Sequence, residues 1–284
     1  MPACCPGYVS APFQALVQDY PDEAVYPPAD FRTEWGPIFH RGRLDGSARV
    51  LVLGQDPGQH ENVLRRILVG EAGRRVQGLL ARLGVTRSYV LLNALLYSVY
   101  GSKGAKYVAR PGVRAYRDAW IEGVLATSSI EAVITFGGMA RKAWEVFAAG
   151  NAPPAGLVVQ HLTHPTFPES AGGTAAEKRA NTRKLLQQWS AALRVLHPAI
   201  AHPDLPAAPA AYGERFEDGD KADIPAADLP PGIPRWMFDE DGWARRVGAT
   251  VAAKRRNITL TVPEGVIAAP QLRRRPARPA GRRR

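Results

Sequence analysis

The sequence predicts an α/β protein, a three-layer α/β/α sandwich around a central four-stranded, mainly parallel sheet. Three observations predict it. Four short apolar runs, at 48–53, 89–93, 132–136 and 157–162, each end in Gly, Asn or a His-Pro turn. The runs are continuous rather than alternating, the pattern of strands covered on both faces. Each is followed by enough chain for a crossover helix, which parallel strands require. Right-handed crossovers then bring all four strand ends to one edge of the sheet.

The first strand runs into Gly54-Gln55-Asp56-Pro57-Gly58-Gln59-His60-Glu61. Pro57 stiffens that turn and the glycines allow close backbone approach, with Asp56 held between them. Residues 64–83 read as mostly helical, with Val76, Leu79, Leu80 and Leu83 on one face and Gly84 at the end. The second strand closes on Asn93. A Gly/Lys/Arg loop at 101–112 leads to a helix over 113–126, and the third strand ends at Gly137-Gly138. A helix over 139–149 and the fourth strand follow, then Thr163-His164-Pro165-Thr166-Phe167-Pro168 and a long helix over 175–196.

Residues 1–197 thus form one α/β/α domain with an aromatic, Pro-rich lead-in. Residues 198–253 read as a Pro/Ala/acidic extension, poorly packed apart from an aromatic docking segment around Trp236 and Trp243. Residues 254–284 read as a basic, disordered tail that includes a short alternating stretch at 257–262. The formal net charge is +11, and ten Lys/Arg against the single acid Glu264 lie from Lys254 onward, leaving the rest close to neutral. Such a tail attracts polyanions, nucleic acid first, or serves solubility alone.

No apolar run approaches the ~20 residues of a membrane span. The first residues lack the basic flank and apolar stretch of a secretory signal. Cys4 and Cys5 are adjacent and are the only cysteines. They do not suit a mutual disulfide and cannot hold a four-iron cluster alone. The expectation is a cytoplasmic protein, nucleoid-associated if bacterial, a monomer, with no metal and no cofactor.

Asp56, Asn93, Gly137 and His164 are expected to converge at the carboxyl edge of the sheet, where open α/β sheets bind ligands. Each also has a plain structural reading: Asp56 as a solvated turn residue, Asn93 as a strand-end cap, His164 as a turn histidine before proline. Taken in order, Gly54-Gln55-Asp56-Pro57, Leu91-Leu92-Asn93-Ala94 and His164-Pro165-Thr166 resemble the three signature motifs of the uracil-DNA glycosylase superfamily. The resemblance spans roughly residues 49–196.

It implies hydrolysis of the N-glycosidic bond of a uracil flipped out of single- or double-stranded DNA, the start of base excision repair. By their places in the motifs, Asp56 would activate water and His164 would hydrogen-bond uracil O2. The backbone around Gln55 would add donors, and Asn93 would read N3–H and O4. Departures are instructive. Gly58 stands where one branch carries the Tyr that excludes thymine. Val69-Gly70-Glu71-Ala72-Gly73 resembles the iron–sulfur branch, whose cluster cysteines are missing. Leu68 replaces the aromatic that stacks on the base. The loop bearing Lys103, Lys106 and Arg110 lacks the histidine with which one branch traps its product, and contact with phosphate is its expected use. Phe167 is the expected wedge into the vacated stack, Thr166 and His60 are candidate phosphate contacts, and His161 reads as structural. Two rival functions stay open: a glycosylase for another deaminated base such as hypoxanthine, and a non-catalytic module that binds uracil or abasic sites.

Overall fold

The computed structural model describes Tyr8, residues 11–239 and residues 242–266. Cys4, Cys5 and the Arg-rich end beyond residue 266 lie outside these. In chain order the elements are α1 (Phe13–Gln18), β1 (Arg41–Gly42), β2 (Val50–Gly54), α2 (Gln59–Leu64), α3 (Glu71–Arg82), β3 (Tyr89–Asn93), α4 (Pro111–Thr127) and β4 (Ala132–Phe136). There follow α5 (Gly138–Gly150), β5 (Val158–Leu162), α6 (Phe167–Ser170), α7 (Ala175–Ala199), α8 (Trp236–Asp239), β6 (Ala244–Arg245), α9 (Val251–Arg256) and β7 (Thr259–Leu260).

The main sheet has five strands in the order β1-β3-β2-β4-β5. Its four parallel strands are those the apolar runs predict. The fifth, β1, adds antiparallel to the β3 edge through Arg41↔Leu91 and Gly42↔Val90. Two residues, one charged and one glycine, carry no strand signature, so the sequence places them in the lead-in instead. Alternation along the strands divides the core. Val50, Val52, Tyr89 and Leu91 pack with Leu79 and Leu80 of α3 and Leu186 and Trp189 of α7. Leu51, Leu53, Val90 and Leu92 pack with Trp120 of α4 and Trp144 and Phe147 of α5. Among the described residues no helix is long and apolar enough to cross a membrane.

Of the residues predicted helical over 64–83, Leu64 closes α2, 65–70 form a turn, and 71–82 make up α3. Between α2 and α3 the chain reverses, with Arg65 and Leu68 at positive φ (59° and 52°). Gly73 makes room for this turn, since a Cβ there would stand 1.7 Å from the Leu68 carbonyl oxygen. The expectation of a poorly packed extension also requires correction. Tyr212, Ile224, Leu229 and Trp243 are buried, Tyr212 against Trp189 of α7 and the other three in a cluster with Leu64 of α2 and Val69. Nor is the tail unstructured from residue 254, since β7 pairs with β6 through Ala244↔Leu260 and Arg245↔Thr259.

Carboxylates bolt the extension down. Asp204 accepts from the Thr86, Arg87 and Ser88 amides at 2.7, 2.7 and 3.0 Å, and Asp220 pairs with Arg82. Asp228 is fully buried, 3.0 Å from fully buried Arg41, and also accepts from Arg43 at 3.1 Å and from the Tyr89 hydroxyl. Breaking such a pair strands the surviving charge without water. Asp228→Ala should therefore lower stability by about 3–5 kcal/mol, a drop of roughly 6–20 °C in Tm. The double substitution Arg41→Met, Asp228→Leu should recover most of the loss. Thermal melts of both variants at neutral pH check this, and a loss under ~1 kcal/mol in Asp228→Ala would show the pair is not what holds the extension.

Candidate active site

Parallel pairing continues past the ends of β2 and β3. The Ala94 amide donates to Gly54 O at 2.9 Å and the Leu95 amide to Gln55 O at 3.0 Å. Zipped this way, the two strand ends thrust Asp56 out at the sheet edge. Its carboxylate accepts from the Val99 amide at 3.3 Å. The following turn is fixed by Asn62, whose side-chain amide donates to Gly58 O at 2.7 Å and to the Ser98 hydroxyl at 2.6 Å.

Asp56 faces a cavity of about 940 Å³ at the carboxyl edges of β2, β4 and β5. Its wall also holds Gln55, Gly58, His60, Leu68, His164, Thr166 and Phe167. These eight, together with Gly137 and His161 in the same wall, are residues singled out in the sequence.

Asn93 is not among the lining residues. Its Oδ1 lies over the Cα of Gly54, 2.3 Å from where a Cβ would stand, beside Leu68, which does line the cavity. Lys103 and Lys106 lie apart from the cavity, each 2.6 Å from Asp30. Their ammonium groups hold the Asp30 carboxyl well below its ordinary range. Arg110 lies 4.2 Å over the Tyr107 ring. The Gln55 side chain turns toward the start of α5, where its Oε1 accepts from the Met139 amide at 3.3 Å. His60 packs edge-to-face on Trp243 at 4.8 Å, and its Nε2 is buried, a packed ring rather than one presented to a phosphate. Phe167, at the start of α6, is 43% exposed at the rim. His161 is held by Thr135 at 2.8 Å.

Two ionisation states follow from burial. Burial first, and the charge of Glu61 second, push the Asp56 carboxyl up to about 6, against the pull of the Val99 amide, Arg246 and Arg32. Burial and the Arg75 guanidinium push His164 down to about 4, so its imidazole is neutral at pH 7. The Thr166 amide lies 3.4 Å from His164 Nδ1 and can only donate. The proton of the neutral ring is thereby assigned to Nε2.

Three residues at the site carry no motif of their own. Glu61 is buried, and burial raises its carboxyl although the Val69 amide donates to it at 3.2 Å. A Cβ on Gly58 would stand 2.7 Å from Glu61 Oε2, so the space this glycine leaves is occupied by a carboxylate. The available signal is a Glu three residues past an N-terminal Gly, the N3 position of a capping box. Arg75 donates to Pro165 O at 2.7 Å and to both oxygens of Glu169 at 2.8 and 3.2 Å. It clamps the loop that carries His164. Arg246, from the extension, also lines the cavity.

A carboxylate and a neutral imidazole face one cavity at the edge of a parallel sheet, groups able to act as a base and as a hydrogen-bond donor. The family model described as Uracil DNA glycosylase superfamily matches residues 41–201, over half of the chain, and the chain belongs to that superfamily of DNA glycosylases. No curated protein matches it.

The raised Asp56 carboxyl has a consequence for stability. Between its ordinary value near 4 and about 6, the folded protein keeps a proton that the unfolded chain has released. Stability contributed by this group therefore falls as pH rises through that window, and the deficit persists above it. Asp56→Asn removes the deficit. At pH 8 it should be more stable than the parent by about 1–3 kcal/mol, and at pH 4 the two Tm values should converge. Melting curves at the two pH values measure this.

Proposed function

We propose that this glycosylase acts on uracil in DNA, as a monofunctional enzyme that flips the nucleotide into the cavity and hydrolyses its N-glycosidic bond. The observation that carries the reading is the pairing of Asp56, poised to ionise near neutrality, with His164, neutral and carrying its proton on Nε2, across one cavity. As the bond breaks, the sugar gains oxocarbenium character and the electron pair leaves with the base. The Asp56 carboxylate stabilises the sugar, orients water toward C1′ and takes the proton that water loses. His164 Nε2–H donates to O2, a hydrogen bond that strengthens as negative charge develops there.

Asn93, which lies behind Gly54 and Leu68 rather than in the cavity wall, is the base reader in this account and has to turn toward the cavity to act as one. One primary amide can accept from N3–H and donate to O4, and cytosine reverses both partners. Leu68 covers the face of the base. The Glu61 carboxylate fills the room left at Gly58 and disfavours the thymine methyl in place of a tyrosine. Phe167 enters the emptied stack, and Thr166 takes a neighbouring phosphate. The protein works as a monomer in the cytoplasm, at the nucleoid if the cell is bacterial.

A second reading, another deaminated base such as hypoxanthine, is favoured by Leu68, because an aliphatic cover selects less sharply than a stacked ring. A purely binding module is disfavoured, since binding alone gives no reason to hold a carboxylate at an energetically unfavourable pKa.

Gel assays on oligonucleotides carrying one uracil, one hypoxanthine or one T:G mismatch test the substrate directly. Uracil should be excised and the others spared. Preferred excision of hypoxanthine would overturn the assignment. Asp56→Asn should lower turnover by about 10²–10⁴-fold while binding persists.

The pH dependence carries a sign. Asp56 must be ionised, so kcat/KM should rise with pH through about 6 and level off above it. His164, already neutral there, adds no second limb. Glu61→Gln removes a like charge and should move the limb to lower pH, and a limb that stays in place would separate Glu61 from Asp56.

A further inference from the structure

The family match ends at residue 201, yet the chain beyond it reaches the cavity. Trp243 fixes how. It is buried against His60 at 4.8 Å and Trp236 at 5.7 Å, and its indole N–H donates to Met237 O at 2.8 Å. The Thr261 amide closes the small β6–β7 sheet onto Trp243 O at 2.7 Å. Trp243 and Ala244 share an apolar cluster with Leu64 of α2 and Val69 of the α2–α3 turn. The residue next after β6 is Arg246, and this anchorage sets it in the cavity wall with Asp56.

Its electrostatic neighbours are Asp56 and Arg32. Arg32 is held in turn by the Val99 carbonyl and lies over the rings of Trp35 and Tyr100 at 4.9 and 4.4 Å. The other arginine in the wall, Arg141, pairs with Glu145 at 2.7 Å. Arg246 is exposed, and among the described residues no hydrogen bond or ion pair occupies its guanidinium. In the basic loop that the sequence suggests for phosphate contact, Lys103 and Lys106 already share the one carboxylate of Asp30.

We propose that Arg246 binds a backbone phosphate of the DNA strand next to the flipped nucleotide, so that the C-terminal extension completes the substrate site. The inference rests on the reading of the cavity as a DNA site, though not on which base is removed. A planar guanidinium suits a phosphodiester through paired donors. Its place in the same cavity wall as Asp56, whose carboxylate feels its charge, gives it a second effect. The incoming phosphate brings negative charge toward a carboxylate that must stay ionised, and Arg246 offsets that charge at the point of entry.

The test is binding of the full-length protein to a fluorescent single-stranded oligonucleotide carrying a tetrahydrofuran abasic site, by anisotropy, from about 50 to 200 mM salt. Arg246→Ala should weaken binding and reduce the slope of log K against log[salt] by about one unit. Arg246→Lys should keep the slope, because the charge remains, while losing part of the affinity. A slope and affinity in Arg246→Ala equal to the parent's, with an equal Tm, would overturn the proposal. So would an unchanged slope accompanied only by a shifted acid limb of activity, which would confine Arg246 to Asp56. Excision plays no part in the binding measurement. A parent that binds with an Arg246-dependent slope but leaves uracil in place would refute the uracil reading and uphold the phosphate contact.

Discussion

A guanidinium buried without water organises much of this molecule. Arg41 lies on the short edge strand, fully buried, and its charge is tolerable only because Asp228 meets it at 3.0 Å. The same group donates to Ile67 O at 2.8 Å and to Gln77 Oε1 at 3.0 Å. One side chain thus joins the sheet edge, the turn before α3, α3 itself and the extension. The turn it grips carries Leu68, which lines the cavity, and the extension it grips carries Arg246. Neither cavity wall is independent of that ion pair.

The site beside it uses burial in the opposite way. Arg41 and Asp228 neutralise each other, whereas Asp56 and Glu61 are two acids placed close together in a buried turn, each raised by its surroundings. Such an arrangement costs stability, and carboxyls raised in this way cluster at functional sites. The amides that hold it, Val99 on Asp56 and Val69 on Glu61, come from turns rather than from the strands. Those turns are in turn held by Arg32 and Arg41, so the cost at the centre is met by buried arginines around it.

Much of this was legible in the sequence, and the rest was not for definable reasons. Continuous apolar runs fix buried parallel strands closely, and β3 and β4 have the predicted limits. Strand ends in such a sheet must share an edge, so Asp56 and His164 could be placed together without knowing any helix boundary. What pattern cannot supply is pairing at a distance. Arg41↔Asp228 spans 187 residues, and neither partner sits in an apolar repeat. The break between α2 and α3 depends on Leu68 adopting a conformation unusual for leucine, which periodicity cannot anticipate. Lys103 and Lys106 read as free cations only because Asp30 is far away in sequence. In Pro198 to Pro234 low hydrophobicity reads as loose packing, but buried Asp220 and Asp228 find Arg82 on α3 and Arg41 on β1, Asp204 finds the amides before β3, and with a few aromatics these suffice.

The extension is therefore best understood as a wall of the site rather than an appendage to it. Phe216 lies over the Arg75 guanidinium at 4.2 Å, and Arg75 holds the carbonyl of Pro165 beside His164. Trp243 rests on His60 in the turn that follows Asp56. Both halves of the candidate acid–base pair thus have an aromatic of the extension packed behind the element that carries them. An exposed cation alone is an ordinary surface feature, but two buried or half-buried aromatics braced behind the elements next to Asp56 and His164 have no bearing on solubility. Their placement makes sense if the geometry across the cavity, between the Asp56 carboxylate and the His164 ring, is what the added chain stabilises.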